Sequence, residues 1–244
     1  MRDDPCHQRD EETSRGRSPA APGGAGCGYN EGGHDEVVFF GARGTFEPFV
    51  VAQAGLGPTV FGVAERTRAL LGAHRSMIRI EVRGVEYPAT AWKYRRSCAT
   101  GAASLNGCLT HAALHFPWQR FVLVGLSQGA DVVRRALAST PEDIYCKVAA
   151  VVLLGDPTRK RSDPWDHGAK DAHAGILARR ACEVSPGLYQ KTWGYALEGD
   201  EVAANHHRVR GLFLSGSHTS YVHNRDGVQD RAAAFIVDRL LTGL

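Results

Sequence analysis

The sequence has no apolar run of about 20 residues, the length needed to cross a membrane, so we expect no transmembrane segment. It also lacks a clear excess of either charge, because 29 Lys and Arg stand against 26 Asp and Glu. The densest basic run, Arg159 to Arg161, is short and contains no aromatic residue. Nucleic-acid binding relies on basic patches with aromatic stacking, and we therefore do not expect it.

The first 34 residues contain almost no large apolar side chains and are rich in charge, proline and glycine. They hold no hydrophobic stretch of the kind that forms the core of a signal peptide. We predict a disordered arm over residues 1–34 and a single domain over residues 35–244. The total length of 244 residues suits one sizeable α/β domain and is short for two.

The most informative stretch is Gly125-Leu126-Ser127-Gln128-Gly129. It follows the apolar, branched run 121–124, which is typical of a strand, and it precedes 130–137, which has helical spacing. This context predicts a nucleophile elbow, a tight turn that raises the serine hydroxyl above the sheet edge. We therefore predict Ser127 as a nucleophile. The alternative is an ordinary turn that contains a serine.

The rest of the chain alternates between strand and helix patterns. Strands are predicted at 36–40, 78–82, 121–124, 148–154 and 192–196, and helices at 59–73, 97–116, 130–137 and 227–241. Such alternation predicts an α/β fold with a parallel sheet covered on both sides. Residues 156–191 are irregular, and whether they form a rim or a lid is left open.

A nucleophilic serine needs a base and an acid that orients the base, and in this kind of fold both come later in the chain. Asp200 follows the predicted strand 192–196, where sites collect at the carboxyl ends of strands. His218 follows the apolar run 209–214 and precedes the last helix. The competing histidines are His206, His207 and His223, and the competing acids are Glu198 and Asp156.

A second pair of histidines has the spacing of metal ligands. His111 and His115 stand four positions apart, but the glutamate of the zincin motif is missing between them. We interpret them as histidines on a helix surface, and we expect neither a metal nor another cofactor.

From about residue 36 onward the chain resembles the cutinases, serine esterases of α/β-hydrolase type, especially their actinobacterial branch. The matching motifs are Ala42-Arg43-Gly44-Thr45, Gly125-Leu126-Ser127-Gln128-Gly129-Ala130, Gly199-Asp200 and His218-Thr219-Ser220-Tyr221. The resemblance implies a three-layer αβα sandwich with a central, mostly parallel five-stranded sheet. It implies Ser127 as nucleophile, His218 as base and Asp200 as acid. It also implies an oxyanion hole from the backbone N–H groups of Thr45 and Gln128, with the Thr45 hydroxyl as an extra donor.

The cysteines depart from this family pattern, since cutinases usually carry two disulfides. Phe116-Pro117 occupies the place of one family cysteine, and Ala196 and Ala203 flank the acid where the second bridge would lie. The second bridge is therefore expected to be lost, which should loosen the loop unless packing compensates. The first could survive only by re-pairing, for example of Cys27 with Cys98 or Cys108, while Cys146 and Cys182 have no obvious family counterpart, and the pairing among these five cysteines is left open.

If no such bridge forms, most of the six cysteines are free. The missing bridges and the missing signal peptide both weaken the secreted location that the family suggests, so the location is left open.

The sequence thus predicts a monomeric carboxylic ester hydrolase for a lipid, polyester or cell-wall mycolyl ester. Leu126, Phe46 and Phe49 favour an open cleft with an apolar rim, and the alternative is that these aromatics lie in the core. Residues 155–160, 175–177 and 195–200 also resemble the lysin B esterases of actinobacteriophages, which cleave the mycolyl-arabinogalactan ester. A hypothesis of another class is an inactive module that binds lipid or cell-wall polymer.

Overall fold

Strands and helices alternate along the residues described by a computed structural model, which are 36–168, 173–204 and 216–243. The predictions for residues 1–34, Cys27, His206 and His207 fall outside these residues. The strands are β1 (Glu36–Ala42), β2 (Arg79–Gly84), β3 (Arg120–Leu126), β4 (Val148–Leu154) and β5 (Thr192–Tyr195). The helices are α1 (Pro58–Ala73), α2 (Tyr94–His115), α3 (Gln128–Ser139), α4 (Glu142–Tyr145) and α5 (Val228–Thr242). Within the described ranges, no helix combines the length and the apolarity that crossing a membrane requires.

The five strands form one sheet in the order β2-β1-β3-β4-β5, and each neighbouring pair runs parallel. The central strands β1, β3 and β4 are almost wholly buried, as their continuous apolar runs predict. The exposed edge strand β2 alternates between wetter and drier side chains. The parallel five-stranded sheet that was expected is confirmed.

Helices cover both faces of this sheet. Val38 and Phe40 of β1 point into a core shared with α2 and α3. Val37 and Phe39 point the other way, into a core shared with α1 and α5. Because successive side chains on a strand face opposite sides, one apolar strand supplies both cores. The result is the three-layer sandwich that the family resemblance implied.

The segment after β4 is held down by buried ion pairs. The fully buried Arg134 guanidinium, on α3, lies 3.1 Å from Asp156 and 2.9 Å from Asp163. Burial alone lowers the pKa of Arg134, but the two carboxylates outweigh it and the net pKa is raised. Short 3-10 turns follow at Ala178–Arg180 and Pro186–Lys191. The described part of 156–191 is therefore anchored to the helix that begins at the elbow.

The cysteine pairing that the sequence left open is settled for four cysteines. Cys98 and Cys108 are free thiols, so the two pairings with Cys27 that were offered as examples do not form. Cys98 is buried on the inner face of α2, close enough to Tyr94 and Asp131 on α3 to interact with both. Its thiol is therefore enclosed in the packed core. Cys146 and Cys182, which have no family counterpart, are disulfide-bonded.

Candidate active site

Ser127 occupies a strained turn between β3 and α3. Its backbone has φ 52° and ψ −118°, a conformation that residues other than glycine rarely adopt. The strain is held by the ends of two strands, since the Ser127 N–H donates to the carbonyl of Leu154 at 2.8 Å. The elbow predicted from the sequence is thus present at the carboxyl edge of the sheet.

The two glycines of the elbow allow the strand and the helix to approach closely. A Cβ atom on Gly125 would stand 2.4 Å from the carbonyl oxygen of Gly129. A Cβ atom on Gly129 would stand 2.0 Å from the carbonyl oxygen of Ala42, at the end of β1. Neither separation is possible for real atoms, so both positions require glycine.

Three of the predicted site residues meet above this edge in one hydrogen-bonded chain. His218 Nε2 lies 2.8 Å from Ser127 Oγ. His218 Nδ1 lies 2.9 Å and 3.0 Å from the two carboxylate oxygens of Asp200. The ring therefore bridges the hydroxyl and the carboxylate, with one nitrogen facing each.

The Asp200 carboxylate is fully buried and receives donors on both oxygens. The N–H groups of Val202 and Ala203 each donate to Oδ1 at 2.9 Å, and the hydroxyl of Tyr221 donates to Oδ2 at 2.7 Å. Burial alone raises the pKa of Asp200, but the hydrogen bonds from His218, Ala203 and Tyr221 outweigh it and hold the net pKa low. The group is an anion at neutral pH.

Sequence reasoning did not assign the role of Tyr221. Its hydroxyl is fully buried, donates to Asp200 and accepts the N–H of Leu197 at 2.9 Å. The one signal available was its place three residues after His218 in the motif that carries the family resemblance. That spacing puts it on the same 3-10 segment, Gly216–His223, as the histidine.

The other histidines and acids that the sequence offered as base or acid do not join this chain of hydrogen bonds where the structure describes them. His223 is exposed at the end of the 3-10 segment, and Glu198 is exposed on the acid loop. Asp156 is buried but is paired with Arg134. His206 and His207 belong to the residues that the structure does not describe.

The two proposed oxyanion donors stand beside the serine. Gln128 is fully buried and is the first residue of α3. Its side-chain amide donates to the carbonyl of Thr90 at 3.1 Å, and its amide oxygen lies 3.4 Å from the Thr45 hydroxyl. Ser127 and Thr45 line the same cleft. The role of the Thr45 and Gln128 backbone N–H groups as an oxyanion hole stays a prediction.

The loop that carries Thr45 is fixed from beneath by a buried arginine. The Arg43 guanidinium donates to the carbonyls of Glu47 at 2.9 Å, Val85 at 3.3 Å and Tyr87 at 2.5 Å. The Glu47 carboxylate in turn accepts the N–H of Gly44 at 2.5 Å. These bonds hold the short turn in which Thr45 lies.

The cleft above Ser127 has a volume of about 220 Å³ and an apolar rim. Leu126, Phe46 and Val222 line it, and Phe46 is 62% exposed, so it is no core residue. Phe49 lies outside the cleft, where its ring packs against the Arg43 guanidinium at 5.4 Å and lines a second groove. The lining of the cleft includes none of the described residues of 156–191.

His111 and His115 lie on the exposed surface of α2, with their ring centres 4.4 Å apart. Among the described residues, no group of three or more His, Cys, Asp or Glu side chains is arranged to hold a metal ion.

Comparisons with known proteins identify the family of this chain. The family model described as Cutinase matches residues 34–240. The "Carboxylesterase Culp1" of Mycobacterium tuberculosis is 27% identical over 222 residues, which cover 91% of this chain and 88% of the relative. "Cutinase CUT2" of Pyricularia oryzae is 32% identical over 180 residues, which cover 71% of this chain and 80% of the relative.

Among solved structures, a cutinase-like protein from Cryptococcus sp. superimposes with a TM-score of 0.67 at 22% identity. The match covers 84% of this chain and 95% of that protein, and it supports the fold. Since the family model spans nearly the whole described domain, including the elbow, Asp200 and His218, the chain belongs to the cutinase family.

Proposed function

We propose that this chain is a carboxylic ester hydrolase in which Ser127, His218 and Asp200 act as a catalytic triad through an acyl-enzyme intermediate. One observation carries the proposal: the unbroken hydrogen-bonded chain from Ser127 Oγ through the His218 ring to a buried, anionic Asp200. Membership of the cutinase family and the chain's similarity to a carboxylesterase support the same activity.

In the acylation step, Ser127 Oγ attacks the carbonyl carbon of the ester while His218 Nε2 takes the hydroxyl proton. Asp200 holds the ring in the tautomer that leaves Nε2 free to accept that proton, and its charge stabilises the imidazolium that forms. When the tetrahedral intermediate collapses, the ester C–O bond breaks. The imidazolium then gives its proton to the leaving alcohol, and the acyl group stays on Ser127.

In the deacylation step, water takes the place of the alcohol. His218 removes a proton from the water as it attacks the acyl carbon, and then returns a proton to Ser127 Oγ as the acid leaves. Two backbone N–H groups, of Thr45 and Gln128, would stabilise the oxyanion in both steps, each by about 3 kcal/mol. The Thr45 hydroxyl, which lies 3.4 Å from the Gln128 amide oxygen, would be a third donor.

The cleft limits the class of substrate that we propose. Its rim is apolar and Phe46 projects into solvent, which suits an ester whose acyl part is short or medium and apolar. No described residue of 156–191 lines the cleft, so access does not require those described residues to move. The alcohol can be that of a lipid, a polyester or a cell-wall polymer, since none of the described residues that line the cleft distinguishes them.

The experiment combines covalent labelling with turnover. The wild-type protein should react with a fluorophosphonate probe at Ser127 and hydrolyse p-nitrophenyl esters across a series of chain lengths. Ser127→Ala should abolish both while keeping the fold, since loss of a triad member costs several orders of magnitude in rate. Ser104→Ala, on α2 and outside the cleft, is the matched control and should behave like wild type.

Two outcomes would redirect the proposal. A folded wild-type protein that neither labels nor turns over any ester would favour the inactive binding module over an enzyme. Hydrolysis of a mycolyl-arabinogalactan substrate, with p-nitrophenyl esters cleaved only weakly, would favour the lysin B-like alternative. Turnover by a correctly folded Ser127→Ala protein would refute the serine mechanism altogether.

A further inference from the structure

The peptide units next to Asp200 are bonded on both sides. In the unit that joins Val202 and Ala203, the Ala203 N–H donates to the Asp200 carboxylate at 2.9 Å, and the Val202 carbonyl accepts the N–H of Ile176 at 3.0 Å. In the next unit, the Ala204 N–H donates to the backbone carbonyl of Asp200 at 2.8 Å, and the Ala203 carbonyl accepts Arg159 Nη1 at 3.4 Å. The segment after β4 therefore holds the turn that follows Asp200.

Arg159 is built into this position. Its side chain is 7% exposed. Its Nη2 lies 2.5 Å from the Asp166 carboxylate, and its Nη1 also donates to the carbonyl of His173 at 2.8 Å. The planar guanidinium can reach all three acceptors at once in a fixed geometry, which the point charge of a lysine cannot do. Burying a cation costs free energy of desolvation, which these contacts must offset.

The same segment is tied to the helix of the nucleophile. The backbone N–H of Arg159 donates to the carbonyl of Asp156 at 3.2 Å. The Asp156 carboxylate accepts the N–H and hydroxyl of Thr158, both at 2.7 Å, and pairs with Arg134 on α3. A buried polar chain thus runs from α3, which begins beside Ser127, to the loop that carries Asp200.

We propose that Arg159 is a positioning residue for Asp200, which fixes the acid loop 197–204 relative to the elbow. This inference rests on the proposed triad. If Arg159 is removed, the carbonyl of Ala203 loses its anchor, and the peptide unit whose Ala204 N–H donates to the Asp200 carbonyl can rotate. The turn that follows Asp200 then shifts and moves the Asp200 carboxylate. The carboxylate then no longer holds the His218 ring in line with Ser127, although the cleft that binds the ester is unchanged.

The test compares Arg159→Met, which keeps the length of the side chain, with Arg159→Lys and with Arg161→Met, a control at an exposed arginine two positions away. We measure kcat and KM on a soluble p-nitrophenyl ester, with active sites counted by a fluorophosphonate titrant. A misplacement of about 1 Å costs about 10²-fold, so we expect Arg159→Met to lower kcat by about that factor with KM nearly unchanged. Arg159→Lys should fall between it and wild type, and Arg161→Met should match wild type.

Rescue by lysine and the split between kcat and KM separate positioning from mere stability. A loss of stability alone would lower the number of titrated active sites and leave kcat per titrated site unchanged. A lower melting temperature with an unchanged kcat per titrated site would therefore overturn the inference.

If Arg159→Met does not fold, Arg159→Lys decides, and a wild-type kcat per titrated site in that variant overturns the inference. Ser127→Ala, assayed in parallel, keeps the two proposals apart. Activity in Ser127→Ala refutes the triad itself. An inactive Ser127→Ala beside a fully active Arg159→Met refutes the role of Arg159 alone.

Discussion

Replacing Tyr221 with phenylalanine removes one buried oxygen atom and two hydrogen bonds. The lost bond to the Asp200 anion is worth about 1.5–3 kcal/mol, and the Leu197 N–H left without a partner costs about 1–3 kcal/mol. The phenylalanine ring keeps the place of the tyrosine ring, so only the small volume of one oxygen atom is left empty. We expect the free energy of unfolding to fall by about 3 kcal/mol. This value is near the lower end of the range that the two losses give together, because the acid loop 197–204 can relax around the missing hydroxyl.

The effect of Tyr221→Phe on catalysis should be smaller than its effect on stability. Asp200 keeps the N–H groups of Val202 and Ala203 and the His218 ring, so the carboxylate stays ionised and near its place. A loss of about 1.4 kcal/mol in the transition state corresponds to a tenfold fall in kcat, and we expect a fall of about that size.

Urea denaturation followed by circular dichroism gives the stability change, and a p-nitrophenyl ester gives kcat. The matched control is Tyr195→Phe, which removes a half-buried hydroxyl that accepts Arg231 at 2.9 Å near the surface. That control should lose less than about 0.5 kcal/mol. If Tyr221→Phe is no less stable than Tyr195→Phe, the reasoning about the buried hydroxyl is wrong.

Four further predictions follow from the same contacts. His218→Ala should lower kcat nearly as far as loss of the serine, whereas His223→Ala, at an exposed histidine, should leave it unchanged. Arg134→Met leaves two buried carboxylates without their cation, so the free energy of unfolding measured in urea should fall by about 3–5 kcal/mol. The control Arg66→Met breaks an exposed ion pair and should lower it by less than about 1 kcal/mol. Because the pKa of Asp200 is held low in the folded state, the stability that this group contributes is fully present above about pH 4 and is lost as the pH falls further. In Asp200→Asn, this part of the loss of stability in acid should be absent. Hydrolysis of an ester should show no sharp rise when an emulsion forms, and such a rise would indicate a closed lid.

The elbow could be predicted because its signals are local. The apolar strand, the two glycines and the helical spacing all lie within a few residues of Ser127, and each constrains the same turn. The order of strands and helices was predictable for a similar reason, since hydrophobic periodicity reports on each element separately. The packing of β1 into two cores, one on each face of the sheet, then follows from the alternation of side chains along the strand.

The acid loop could not be predicted in this way. Alanine at 196 and 203 in place of the bridge around Asp200 predicts a looser loop unless packing compensates, and the local sequence does not show whether it does. Both alanines are fully buried, and the loop is held by long-range contacts such as that of Arg159 with Ala203, which are 44 positions apart. A contact between a side chain and a distant carbonyl leaves no pattern in either stretch of sequence.

The site therefore has a fixed floor and an exposed rim. Ser127 and Asp200 are anchored through buried polar groups, and Arg43 fixes the turn of Thr45 in the same manner. Buried polar networks of this kind are rigid only when nearly all of their members are satisfied, which makes their residues sensitive to change. The rim at Phe46 has no such ties on its side chain, because it is largely exposed. Selectivity for the acyl group can thus vary at the rim without disturbing the geometry that the reaction needs.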